Sequence, residues 1–297
     1  MKILYLLLLI FTTEISFSQI KGILKDSASN EPIPYVNIWV ENESIGTTSN
    51  ENGIFTININ GNGKILIFSS IGYETLKINT HLLDRVVKLK PKITELQEVV
   101  VKAKKQKNET ITGHFKKSEI NWYFACEKMP WIAARFFDFK ENYIQTPFLK
   151  KIRVLTDSEL KESKFNIRLY SVDDDGKPFD YIYAKNIIGI ARKGKRITEV
   201  DISELNIKFP NKGVFIAIEW LIIDSNKYDF TYTMNGSKVK MKDIRYAPSL
   251  GTIPSETDDN SWIYNQGTWK KVWRNTGPIN RYKDKYNLLA IELILTN

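Results

Sequence analysis

At 297 residues, 42% of them hydrophobic and 26% charged, the chain is long enough for two domains and has the balance of a folded protein. Its 15 glycines and 10 prolines are too few for a low-complexity or collagen-like chain. A single cysteine, Cys126, excludes internal disulfide staples, so stability must come from packing, and Cys126 itself reads as a small buried hydrophobe.

The chain opens with Lys2, a greasy run from Ile3 to Phe11, and the small-residue segment Ser16-Phe17-Ser18-Gln19. This predicts a signal peptide over 1–18, cleaved after Ser18. The greasy run falls short of the ~20 apolar residues that an anchor helix needs. No cysteine directly follows it to take a lipid. Export makes nucleic acid an unexpected partner despite a formal charge of +9. The basic run Lys102, Lys104, Lys105, Lys107, Lys116 and Lys117 reads as a solvated connector.

Residues 19–91 carry short period-two runs. Val36, Ile38 and Val40 alternate with Tyr35, Asn37 and Trp39. Phe55, Ile57 and Ile59 alternate with Thr56, Asn58 and Asn60. Between them, Asn52-Gly53 is a dipeptide that accepts positive φ and reverses the chain. Further strands are expected over 20–25, 64–69, 74–79 and 85–89. Ile65-Leu66-Ile67-Phe68 is continuous, so it predicts a central strand covered on both faces. Short strands at this spacing make a sandwich.

The order Ile20-Lys21-Gly22, Pro32-Ile33-Pro34-Tyr35-Val36-Asn37-Ile38, Gly46 to Phe55 and Phe68 to Thr75 closely resembles the carboxypeptidase regulatory-like domain. Leu96 to Val101 looks like the segment that follows this domain in Gram-negative envelope proteins. The resemblance implies a prealbumin-like β-sandwich, an envelope location, and an accessory module with no catalytic residues to carry over. In TonB-dependent transporters the module precedes a plug and a large barrel. Too few residues follow it here for a 22-stranded barrel, so the transporter reading is set aside.

Residues 92–117 are polar and charged and read as a linker. Residues 118–297 read as a second antiparallel β-sandwich or jelly roll. Its strands are expected over 131–138, 148–155, 164–172, 186–191, 197–201, 214–223, 227–233, 269–274 and 288–295. The one amphipathic helical candidate, 118–128, is short. The segments around 165–178, 198–203 and 213–220 look like a C-terminal region that accompanies the regulatory-like module in other exported proteins, similar in style to galactose-binding-like jelly rolls. The whole chain is therefore expected to be all-β.

Chemistry is sparse. A catalytic zinc site needs two histidines and a carboxylate around one open-sided metal. The only histidines, His81 and His114, fall in different parts of the chain. No G-x-S-x-G string occurs. Asp173-Asp174-Asp175-Gly176 lacks the spacing of a calcium loop and reads as a polar turn. Glu199, Asp201, Glu219 and Asp224 are the carboxylates available to a hydrolase. Glu219 lies on the opposite strand face from Ile218 and Trp220, toward solvent or a groove. The aromatic stretch Trp262, Tyr264, Trp269 and Trp273, with Asp258 and Asp259, is the candidate ligand site. Flat rings suit a pyranose face and carboxylates its hydroxyls. Parity turns Trp269 and Trp273 inward and leaves Trp262 and Tyr264 as the exposed pair.

The expectation is an exported, non-enzymatic envelope protein, in the periplasm or associated with the outer membrane. It would need no cofactor or metal. It would act in binding or assembly with an envelope protein or a glycan, with the N-terminal module as a rigid spacer. The alternatives are carbohydrate binding by the C-terminal sandwich and a hydrolase using strand carboxylates.

Overall fold

The computed structural model describes residues 17–61, 63–92, 108–233, 239–277 and 279–297. Nearly all of the expected signal peptide, Leu96 to Val101 and the basic run from Lys102 to Lys107 lie outside these residues. Among the described residues there is no α-helix, and none is long and apolar enough to cross a membrane. The fold is all-β.

The first unit is a sandwich. Strands β1 (Phe17–Asp26), β4 (Ile54–Asn60) and β7 (Val86–Leu89) form a three-stranded sheet in the order β4-β1-β7. Strands β2 (Asn37–Val40), β3 (Gly46–Thr48), β5 (Ile65–Ser69) and β6 (Leu76–Asn79) form a four-stranded sheet in the order β3-β2-β5-β6. Period two sends Val36, Ile38, Val40, Phe55, Ile57 and Ile59 into one shared core. The expected turn before β4 is present. Asn50 Oδ1 accepts from the amides of Asn52 and Ile54, each at 3.0 Å. Gly53 sits at φ +73°, where an added Cβ would come within 2.6 Å of the Leu24 carbonyl. Only glycine meets both conditions.

The second unit is one continuous thirteen-stranded sheet folded onto itself. It contains β8 (Glu109–Thr112), β9 (Tyr123–Cys126), β10 (Ile132–Phe137), β11 (Phe148–Val172), β12 (Pro178–Tyr181), β13 (Ile187–Asp201) and β14 (Val214–Trp220). It continues with β15 (Lys227–Thr233), β16 (Lys240–Ser255), β17 (Ser261–Asn265), β18 (Thr268–Lys271), β19 (Tyr286–Leu289) and β20 (Ile291–Thr296). The spine runs β15-β16-β11-β14-β10-β17-β18.

Several segments differ from the sequence reading. The 148–155 and 164–172 segments are one 25-residue strand, β11, with a register irregularity between Ser158 and Glu162. Its polar middle masks the continuity. Glu109–Thr112, assigned to the linker, is a strand pairing with β20. Likewise 118–128 holds a single 3-10 turn and β9, not an amphipathic helix.

Inside the fold of the sheet, Phe165, Ile167 and Leu169 of β11 pack with Val214, Ile216 and Ile218 of β14. Trp131 stacks on Trp220 with centroids 4.3 Å apart and planes 16° from parallel. The buried Trp220 Nε1 donates to the Pro248 carbonyl at 2.7 Å. This pins β14 to β16.

Candidate functional site

The opposite face of β11 and β14 is also covered. Asn166, Arg168 and Tyr170 share one face of β11. Phe215, Ala217 and Glu219 share that face on β14, with Asn166 opposite Glu219 and Arg168 opposite Ala217. All six are buried. Toward one end this face carries rings: Tyr170, Phe215 and Trp262 pack over Ala134 and Ala217. Tyr181, Tyr264 and Trp269 flank them. Tyr170 and Tyr181 have centroids 4.7 Å apart, and Trp269 meets both Tyr170 and Tyr264 at 5.2 Å. Burial first, then Tyr181 and Glu219, push the Tyr264 phenol up to about 12. Burial likewise lifts Tyr170 well above its usual range.

Toward the other end the face carries charge. Arg168 donates Nε and Nη2 to Glu219 Oε2 at 2.9 and 2.7 Å, with Arg168 2% and Glu219 3% exposed. Burial works to strip the Arg168 charge. Glu219, Tyr181 and Tyr170 outweigh it, so its pKa stays above the usual value. Arg168 Nη1 is buried without a partner.

The first unit supplies the rest. Asn37 Nδ2 donates to Glu219 Oε1 at 2.5 Å, and Thr48 Oγ1 donates to Asn37 Oδ1 at 3.3 Å. The Thr48 amide donates to the Ile222 carbonyl at 3.1 Å, and the Ile222 amide returns a bond to Thr48 Oγ1 at 3.0 Å. The Gly46 amide donates to the Lys128 carbonyl at 3.0 Å. Tyr35 packs on Leu221 and Ile223, and Trp39 and Ile67 pack on Met129. Tyr35 holds φ +57°, a costly conformation for an aromatic residue, while its ring sits in the second unit. The two units are therefore docked through a buried, hydrogen-bonded interface.

Residues 20–101 match the family model of the CarboxypepD_reg-like domain. The N-terminal unit is a carboxypeptidase regulatory-like domain. No curated protein matches the chain. Among solved structures, it is similar to the cysteine protease and lectin-like domains of Cwp84, a surface layer associated protein of Clostridium difficile. That match has 14% identity and a TM-score of 0.35, and covers 57% of this chain and 32% of that one. The clostridial cysteine protease Cwp84 after propeptide cleavage gives 13% identity and a TM-score of 0.37, covering 64% and 40%. A backbone pilin of Streptococcus pyogenes gives 12% identity and a TM-score of 0.15, covering 78% and 65%. The chain thus spans less than half the length of the Cwp84 chains, and similarity this low carries no functional argument.

The regulatory-like domain accounts for the burial of Glu219. Its strand face is the one opposite Ile218 and Trp220, as alternation predicts, but the domain closes over it. It faces neither solvent nor an open groove. The outward phase of β2, Asn37 and Trp39, preceded by Tyr35, is the docking surface. Two aromatics on the nominally solvent phase were the signal that sequence reasoning missed.

The aromatic stretch is partly brought together. Lys271 Nζ lies 3.3 Å from Asp258 and 3.2 Å from Asp259, and 5.3 Å over the Trp262 ring. Trp262 is only 5% exposed and Trp273 is 59% exposed, the reverse of the expected orientation. Ser261–Asn265 is a strand between β10 and β18, so Trp262 and Tyr264 turn onto the ring-covered sheet face. Trp273 lies beyond β18 and touches Phe124 instead, with centroids 6.2 Å apart.

The other candidate carboxylates are engaged separately. Glu199 is held by Lys151 at 2.6 Å and Arg153 at 2.8 Å, which lower its pKa. Arg153 continues to Glu292, and Glu292 to His114 at 3.0 Å. Asp201 accepts from the Ser203 hydroxyl and amide. Asp224 opens a 3-10 turn. Asp173 Oδ1 accepts from the amides of Asp175 and Lys177, the geometry of a polar turn. Among the described residues no three His, Cys, Asp or Glu side chains converge as a metal site.

Proposed function

We propose that this is an exported, non-enzymatic envelope protein that acts through binding or assembly, its regulatory-like domain and C-terminal sheet presenting one composite surface. The observation that carries the reading is the Asn37–Glu219–Arg168 contact. It takes the most deeply buried carboxylate considered for hydrolysis and commits it to joining the two units. Glu199 and Asp201 are likewise held in local pairs and turns. A group already held by strong partners is poorly placed to move protons during turnover.

Export predicts a mature chain beginning at Gln19. Cleavage after Ser18 removes the partners of Asn60 and Ile59 from β1 but keeps the pairs from Gln19 to Ile23, so the sandwich survives it. Fractionation of the native host, followed by N-terminal sequencing, tests the reading. Mature protein in the envelope fraction starting at Gln19 supports it. Full-length protein in the cytoplasm overturns it.

A further inference from the structure

The β15–β16 hairpin lies at the end of the sheet, and β15 pairs on one side only. The register sets Tyr228 opposite Arg245, Phe230 opposite Asp243 and Tyr232 opposite Met241. Directly opposed residues share a face, so these six side chains line one side of the hairpin. None of them is packed into either core. Phe230 and Tyr232 stack along β15, with centroids 6.0 Å apart and planes 19° from parallel. The Arg245 guanidinium lies 3.5 Å over the Phe230 ring. Tyr232 is 38% exposed.

The turn after β9 walls this face. Arg245 reaches Glu127 at 3.6 Å, and Lys128 reaches Asp243 at 3.4 Å. The result is a cleft of about 440 Å³ lined by Glu127, Phe230, Tyr232, Asp243 and Arg245. Two cations balance two anions, so the cleft offers no net field to a charged ligand. Arg245 Nε is shielded from solvent by its packing on Phe230 and has no partner.

We propose that this cleft is a carbohydrate site for uncharged oligosaccharides. The exposed Tyr232 ring would stack on the apolar face of a sugar, backed by Phe230 and the Arg245 guanidinium packed on it. Asp243 and Glu127 would accept from hydroxyls, and Arg245 would donate to ring or hydroxyl oxygens. A nucleotide or acidic glycan is disfavoured because the cations beside the cleft are already paired with its two carboxylates. The inference deepens the binding reading above, by naming a ligand class and a site away from Trp262. It rests on that reading only in treating the chain as a binder.

The test is calorimetric titration of the full mature chain with neutral gluco-, manno- and xylo-oligosaccharides. An oligogalacturonate and a neutral tyrosine-rich peptide run in parallel. The expected result is binding of at least one neutral oligosaccharide and not of the oligogalacturonate. Tyr232→Ala should weaken it about tenfold, the scale of one lost aromatic stack. Asp243→Asn should weaken it too, and Phe179→Ala, which removes an exposed ring on β12, should leave it unchanged. Phe230→Ala is informative only if its melting temperature is retained. Tyr232→Ala removes an exposed ring and keeps the test decisive. Binding of no neutral oligosaccharide, binding of the peptide alone, or binding that ignores Tyr232→Ala overturns the proposal. An envelope-located chain that ignores every sugar would sink this site and leave the envelope reading standing.

Discussion

Asn37 donates its side-chain amide to Glu219 across 2.5 Å, although 182 residues separate them in the chain. The contact matters because Glu219 already neutralises Arg168, and that pair is withdrawn from water. Removing one member strands a buried charge. Glu219→Ala should cost about 3–5 kcal/mol, the scale of breaking a buried pair from one side. Arg168→Met combined with Glu219→Leu should recover most of that loss. Denaturant unfolding of the three proteins checks this. Equal destabilisation by the single and double changes would count against a charge-based account.

Docking depends on a close backbone approach at Gly46. A Cβ there would come within 2.5 Å of Pro130 Cδ and 2.9 Å of the Ile38 carbonyl. Gly46→Ala should therefore loosen the interface while leaving both cores folded. Tyr35→Ala should do the same by removing a ring from Leu221 and Ile223, at a cost of about 3 kcal/mol. Limited proteolysis should cut both variants faster between the units. Unchanged cleavage would place the docking energy elsewhere.

Trp220→Phe keeps the ring stack but removes the donor to Pro248. The orphaned carbonyl should destabilise the protein by about 1–3 kcal/mol. A thermal shift comparing Trp220→Phe with wild type reads the effect, and no shift would mean that the carbonyl finds another partner.

High pH should unfold the protein by a defined route. Burial raises the phenols of Tyr73, Tyr123 and Tyr264 to about 12, against an ordinary value of 10.0. A folded pKa above the unfolded one stabilises fully below the unfolded value and is lost as pH rises through the folded value. Stability should hold up to pH 10 and fall from there toward pH 12. Phenolate absorbance should rise in step with loss of β-sheet signal. Full titration of every tyrosine near pH 10 in folded protein would contradict this.

Cys126 should be inert. Its thiol is buried and donates to the Met129 carbonyl at 3.3 Å, and burial pushes its pKa well above the usual thiol range. A thiol-reactive dye should label it only in denaturant. Rapid labelling of native protein would show that the β9 turn opens.

Much of the architecture was legible in the residues. Alternation in Val36–Val40 and Phe55–Ile59 set the inward faces of the first sandwich, and Asn52-Gly53 marked its turn, because strand period and turn chemistry are local properties. Ile65–Phe68 announced a strand covered on both sides, and Leu66 and Ile67 indeed face different cores. The length of β11 was hidden, because its polar middle looks like a loop when its partner β13 is out of view. The strand character of Trp262 and Tyr264 was hidden for the same reason: pairing with β10 and β18 turns them onto the ring-covered face.

The sequence by itself determined which side chains share a face, since a strand's geometry repeats every two residues wherever it lies. It could not determine what covers the second face. Tyr35, Asn37 and Trp39 look like a solvent phase until β14 is brought against them. Arg168 and Glu219 look like surface charges until the first unit closes over them. Those assignments belong to contacts between residues far apart in the chain, and only the tertiary structure brings them within hydrogen-bonding distance.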